Sequence, residues 1–541
     1  MFKKFKKLLA ILAAAMMVVS LISCGGNNKV IKDEVLEVYI EDHGYRTEGV
    51  KAIINAFSEQ DWVKEKYPNL EVKFTTNNFT DYAINKISNP KNNEFDLLFT
   101  NASLFSAFDK NAKGEYLLVD LKEDVYDQDV IGEPSVKFSE KMHQSFLKDL
   151  AYTSRTETVP KYYEVPWVTG LRGIIYNEEI LAQFGYINGK TPNTTDELLQ
   201  LCKDIKQNPG KSGNGKGYAH INCSGYSDSI DTWWAQYDGY EAYENFWQGK
   251  YKDNRGTTYS NKIFNLEGRL KALEVIDEMF KYDNGYYDVE SHDAGEFMTR
   301  QTRILKGEYA LAFCADWFDT EMRSTYELLE SEGITPATIK IMKWPVVSAI
   351  VDKLETVKTD ELLSKVIAAI DEGKTSYDGV SEDDFNRLVE ARGIYHTTGI
   401  GHVAVIPTCA NSKDVAIDAL KFMATDLCQE VYMRATYGQN LPFRYNLDTN
   451  SELFKGLSSL QQSRLTYFYS SNIKVLPNKK RYPLVRFGNL QPIKSQTTAY
   501  GEIFMVKGNV TTPRRLFDDT KAAWTEGVFD FALITAGLKS D

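Results

Sequence analysis

Between residues 35 and 99 the chain alternates strand and helix, and that alternation leaves few folds open. Residues 35–40 alternate apolar and polar side chains as a strand does, and residues 48–60 carry the spacing of an amphipathic helix ending near Gln60. Residues 70–74 read as a second strand and 80–88 as a second helix. Residues 95–99 are a third strand, apolar on both faces as a buried parallel strand is. Strand, helix, strand, helix, strand is the rhythm of an open parallel sheet with helices on its faces, so the fold class is α/β.

Further along, residues 172–177 read as a strand followed by a helix at 177–184. Thr194 opens a helix at 195–207 with a capping start. Helices are predicted at 266–282 and 296–306, then a buried strand at 309–314 that ends in Asp316 and Trp317. The segment 351–395 is charged and helical, 403–407 returns to strand, and 413–433 reads as one long helix. No repeat of 20–50 residues and no low-complexity linker divides the chain.

The first thirty residues have their own signature. Lys3, Lys4, Lys6 and Lys7 precede an apolar run from Leu8 to Leu21, about 14 residues, too short to span a bilayer of ~30 Å. This is the shape of a cleaved export signal. It ends in Leu21-Ile22-Ser23-Cys24, which resembles a bacterial lipobox, and a diacylated Cys24 would supply the two acyl chains that stable anchoring needs. Residues 1–23 are therefore expected to be a lipoprotein signal peptide and 24–34 a tether. Removing residues 1–23, with four lysines and no acid, takes the formal charge from −12 to −16. A chain that acidic is a poor partner for nucleic acid. The five remaining cysteines (202, 223, 314, 409, 428) are scattered and odd in number, with no CxxC, so no disulfide framework is read.

Most catalytic and metal motifs fail. Residues 210–217 approach a P-loop, but Gly217 stands where Ser or Thr must reach Mg²⁺, and a helix precedes them, so a flexible connector is the better reading. The six histidines show no metal-ligand spacing, and no Gly-x-Ser-x-Gly elbow occurs. Asp124, Asp127, Asp129 and Glu133 match no calcium loop and read as a solvated acidic face. No metal and no cofactor is expected. What stands out is tryptophan near loops: Trp167 after a proline, Trp233 and Trp234 between Asp231 and Tyr237, Trp317 beyond a strand, and Trp344 before a proline. Sugars stack their C–H faces on such rings and need carboxylate, amide or Arg partners for their hydroxyls.

Several segments resemble the extracellular solute-binding proteins of carbohydrate ABC importers, the group that includes maltose-binding protein. Tyr163 to Trp167 with Gly173 to Asn177 is similar to that family's Y-x-x-P-W … G-x-x-Y-N stretch. Gly307 to Phe313 with Trp317 is similar to its G-x-x-A-M … G-x-W turn, although Ala315 stands where glycine is common and Leu311 replaces Met. Residues 414–425, with Gly438 and Pro442, resemble the helix and turn that follow. The resemblance spans roughly residues 35–445. It implies a two-lobed, periplasmic-binding-protein-like (type II) fold with discontinuous lobes and a hinge. Lobe 1 would take residues 35–160 and 401–445. Lobe 2 would take 161–400, with a helical insertion at about 351–395, and 446–541 would add to it as C-terminal helices. It also implies a lipid-anchored monomer on the extracytoplasmic face of the cell membrane, which captures an oligosaccharide between the lobes and hands it to ABC permease subunits without catalysis. Trp317 would be the main stacking platform, with Trp167, Trp233, Trp234 and Tyr237 as further aromatic surfaces. Asp316, Glu321, Asn101, Tyr45 and His43 would recognise hydroxyls. A lipid-anchored glycosidase and a helical-repeat glycan-docking protein are the alternatives. The first would release products from the sugars it is given, and the second conflicts with the strand–helix alternation.

Overall fold

The computed structural model describes residues 34–540 except 43, 80, 154–158, 223–225, 290–296, 398–400, 470–472 and 493–503. The chain begins with β1 (Val35–Glu41) and α1 (Tyr45–Ser58), then β2 (Glu71–Asn77), β3 (Leu97–Thr100) and β4 (Val165–Pro166). It next lays down β5 (Leu171–Asn177), α2 (Thr195–Gln207), β6 (His220–Asn222), α3 (Tyr226–Asp238), α4 (Gly268–Phe280), β7 (Leu311–Ala315) and β8 (Ile339–Met342). After α5 (Asp360–Asp371), α6 (Glu382–Gly393) and β9 (Ile394–Thr397) come β10 (Val403–Val405), α7 (Lys413–Phe422), α8 (Asp426–Ala435), α9 (Ser459–Tyr469) and β11 (Lys474–Val475).

These strands form two main sheets, one per lobe. The first runs β2-β1-β3-β10-β4, with β1 parallel to β2 and β3, and β10 antiparallel to β3 and β4. The second runs β11-β9-β5-β7-β6, with β8 pairing the later part of β5. The chain thus passes from the first sheet to the second between residues 166 and 171, and back between 397 and 403. The two passages are bonded to the rest of the junction: Trp167 N donates to His402 O (3.1 Å), and Thr169 N to Asn440 O (3.1 Å).

The apolar pattern explains the packing. On β1, Leu36, Val38 and Ile40 face the main core, and Tyr39 joins Ala83, Ile87, Phe95 and Leu98 on the opposite side. α1 buries Val50, Ile53, Ile54 and Phe57. Gly49 is required there, because a Cβ would lie 2.4 Å from Thr436 Cγ2 and 2.8 Å from the Tyr432 ring, where α8 crosses. α2 starts as its sequence predicts: Thr194 Oγ1 accepts from Glu197 N, and Glu197 Oε2 accepts from Asn193 N.

Two expectations are corrected. Residues 413–433 are not one helix but α7 and α8, because Thr425 caps a new start by accepting from Cys428 N (3.1 Å). The Gly-rich segment 210–217 is not a loose connector either. Asn214 Nδ2 donates to the carbonyls of Tyr218 and Glu308 (2.8 Å each), and a Cβ on Gly213 would strike Gly307 O. The insertion forms α5 and α6, and α6 braces α3 as Arg387 donates to the carbonyls of Gln236 and Tyr237. The acidic loop is neutralised locally: Lys122 pairs with Asp127, Lys137 with Asp129 and Lys141 with Glu133.

Candidate functional site

The two sheets meet at a cleft where strand ends converge. On the first-lobe side, residues 101–105 continue β3. On the other side stand Arg172 at the start of β5, the end of β9, and residues 476–480 beyond β11. Ligand sites gather at such carboxyl ends because loops there are free to vary while the sheet holds them. The cleft holds a cavity of about 500 Å³ lined by Asn101, Ser103, Phe105, Arg172, His396 and Lys480 among others. A second cavity of about 450 Å³ shares His396, Lys479 and Lys480 and adds Asp228, Asp231 and Arg269.

Arg172 is fixed by its strand, opposite Ala315 on β7 and His396 on β9. Its Nη1 donates to Asp228 Oδ2 (2.9 Å), and its guanidinium lies 5.3 Å from the centre of the Trp317 ring. Asp228 also faces His396 Nε2 at 3.5 Å. Burial holds the His396 imidazole below its usual pKa, with Asp228 opposing the shift, so it is neutral at pH 7. One turn along α3, Asp231 accepts from Lys479, whose ammonium sits 4.6 Å from the Trp247 ring centre. On the first-lobe side Phe105 is partly exposed, with Arg481 and Arg486 at 5.5 and 5.0 Å from its ring centre. Arg481 Nη2 pairs with the buried Glu164 (2.5 Å), whose other oxygen accepts from Leu104 N, so one carboxylate ties both sides of the cleft.

The structure sorts the predicted residues sharply. Asn101 lines the cleft, with its N–H donating to Glu41 (2.9 Å). Trp317 is partly exposed and lies against the Arg172 guanidinium, but it does not line either cavity. Trp167 is a correction. It is fully buried at the junction, its Nε1 donating to Thr100 O (3.2 Å) and its ring edge-on to Phe99 and His402. Trp233 is buried too, donating to Pro345 O and packed edge-on to Trp344. Trp234 is enclosed by Tyr243, Phe246 and Trp247 and donates to Asp238. Trp167 and Trp233 line neither cavity, whereas Trp234, though buried, lies in the wall of the second. Tyr237 is buried against Lys353, and burial pushes its phenol up to about 12.

Asp316 is also corrected: it is sealed beneath the cleft, 3.6 Å from Arg464 Nε, and burial raises its carboxyl above the usual range. Glu321 accepts from Gln301 Nε2 (3.0 Å). Tyr45 starts α1 beside Arg46, with its phenol pushed up to about 12 by burial. His43 and Cys24 lie outside the described residues. The sequence reading missed Arg172, Asp228, Asp231, His396, Lys479, Lys480 and Phe105. The legible signal was Asp228 and Asp231 one helical turn apart, just before the paired tryptophans.

A polar cleft at converging strand ends offers room for a small solute between two sheets. Residues 43–286 match the family described as bacterial extracellular solute-binding protein. Among solved structures it is similar to the apo form of RafE from Streptococcus pneumoniae (14% identity, TM-score 0.53, covering 91% of this chain and 97% of that one). It is also similar to an ABC substrate-binding protein of Listeria monocytogenes in complex with cycloalternan (11% identity, TM-score 0.52, 94% and 100% covered). A third likeness is the GacH receptor of Streptomyces glaucescens, solved unliganded and with acarbose (13% identity, TM-score 0.50, 92% and 98% covered). No curated protein matches the sequence.

Proposed function

We propose that the chain is the substrate-binding component of a carbohydrate ABC importer, capturing an oligosaccharide in the inter-lobe cleft and passing it to membrane permease subunits. The observation that carries this reading is the cleft itself. The partly exposed Phe105 ring lines it together with amide, hydroxyl and guanidinium groups, and the partly exposed Trp317 ring lies against its Arg172, the combination that stacks a sugar face and bonds its hydroxyls. The kinship with solute-binding proteins and the sugars named for similar structures support it. The protein acts as a monomer held at the extracytoplasmic face by a lipid on Cys24, after loss of residues 1–23. Among the described residues no helix is long and apolar enough to cross a membrane, and the lipobox-like Leu21 to Cys24 supplies the anchor. The cleft binds and does not cleave.

The test is a thermal-shift and calorimetry screen against oligosaccharides, followed by product analysis of each mixture. A stabilising sugar recovered intact is expected, because binding to the folded state alone raises its melting temperature. Hydrolysis products would assign the chain to the glycosidases, and no stabilisation by any sugar would overturn the proposal.

A further inference from the structure

We infer that the ligand carries an anionic group, a uronate carboxylate or a sulfate ester, seated between Arg172 and Lys480; this rests on the oligosaccharide reading and narrows it. The chain is strongly acidic, with a net charge of −12, yet the cleft reverses that sign. Arg172, Lys479 and Lys480 line the 500 Å³ cavity, and no carboxylate does among the described residues that line it. Arg172 and Lys479 reach back to Asp228 and Asp231, which line the neighbouring cavity. Lys480 is exposed and makes no ion pair among the described residues.

Hydrogen-bond bookkeeping points the same way. Lysine and arginine donate and never accept. A neutral sugar brings hydroxyls that each need an acceptor as well as a donor, and side-chain acceptors in this cavity are few: Asn101, Ser103, Thr397, Asn478 and the neutral ring of His396. A carboxylate or sulfate brings only acceptors, and charge-assisted bonds to it are the shorter and stronger kind. Arg172 and Lys479 already pair with Asp228 and Asp231, so Lys480, which has no such partner among the described residues, supplies the charge that draws the anion in.

The experiment measures affinity by calorimetry at about 20 and 300 mM salt. The probes are galacturonate, glucuronate and mannuronate trimers, sulfated galactose trimers, and neutral galactose, glucose and xylose trimers, each with the wild-type chain and with Lys480→Gln. The expected result is that an acidic trimer binds at least tenfold tighter than any neutral one, that the advantage shrinks at high salt, and that Lys480→Gln reduces it by about tenfold. Whether the uronate or the sulfate arm binds identifies the anion. A neutral trimer that binds as tightly as the best acidic one, with affinity indifferent to salt, overturns the inference and leaves the oligosaccharide reading standing. No binding by any trimer overturns both.

Discussion

Arg464→Met tests whether the buried charge beneath the cleft holds the lobes' junction together. Arg464 is fully enclosed on α9. Its Nε donates to Gln461 Oε1 (2.9 Å), its Nη1 to Asn440 Oδ1 and its Nη2 to Gly438 O, and it faces Asp316 Oδ2 at 3.6 Å. One side chain therefore links α9, which packs on β8, to the segment returning from α8. Methionine of similar length fills the space but leaves the Asp316 carboxylate with Arg46 as its remaining cationic neighbour. Removing one partner of a buried pair costs about 3–5 kcal/mol, because the other charge stays desolvated. The expected loss of unfolding free energy is of that size, read by denaturant titration at pH 7 with tryptophan fluorescence. Two further outcomes follow from the same cause. Arg464→Met with Asp316→Asn should be more stable than Arg464→Met alone, since the stranded charge is gone. The single variant should also regain stability as pH falls, because the folded-state pKa of Asp316, already raised by burial, rises further and protonation then favours folding. A loss under about 1 kcal/mol, or a double variant no better than the single one, refutes the reasoning.

Trp317→Ala should weaken binding of the stabilising sugar by roughly 1–3 kcal/mol, the range for ligand stacking on an aromatic ring, with little change in unliganded melting; calorimetry and melting curves separate the two. Trp167→Ala should do the reverse, with a folding loss of ~3–5 kcal/mol and near-normal binding by the folded fraction. Burial raises Asp149 from 3.8 to about 6, so ionising it costs stability above pH 6 and protonation returns up to about 3 kcal/mol as pH falls from 6 to 3.8. Asp149→Asn should thus be more stable at pH 7 and lose that gain on acidification, as urea titrations across pH 4–7 would show. Cys24→Ala should shift the protein from the membrane fraction to the medium, scored by fractionation and immunoblotting.

The fold was legible where side-chain periodicity is a local property. Strands at 35–40, 70–74 and 95–99 stand out because their apolar residues alternate or run unbroken. The break between α7 and α8 was missed because the apolar spacing continues through it, and only the Thr425 cap marks the stop. The site was less legible for a related reason. Tryptophan near a proline or a loop satisfies the pattern of a stacking platform and equally that of a core residue. Which one it is depends on what packs against it from far along the chain: His402 for Trp167, and Trp344 for Trp233. The lining of the cleft was invisible because Arg172, His396 and Lys480 come from three distant segments. Only the pairing of β5 with β9 brings the first two side by side.

That long-range pairing also sets the order in which the molecule can be made. β3 gains its neighbour β10 only across 303 positions of chain, at Thr100 and Val403. A ribosome adding ~5–20 residues per second needs about 15–60 s to supply them. Through that interval β1, β2 and β3 have no β10 along the edge of β3, and such an edge is a template for any other extended chain nearby. Distant contacts of this kind slow folding, because the intervening chain must be ordered before they form. The nascent protein must therefore be kept apart from its own copies until Val403–Val405 have emerged. Destabilised variants should reveal themselves first as lower yield in the cell, and only afterwards as weaker binding in the tube.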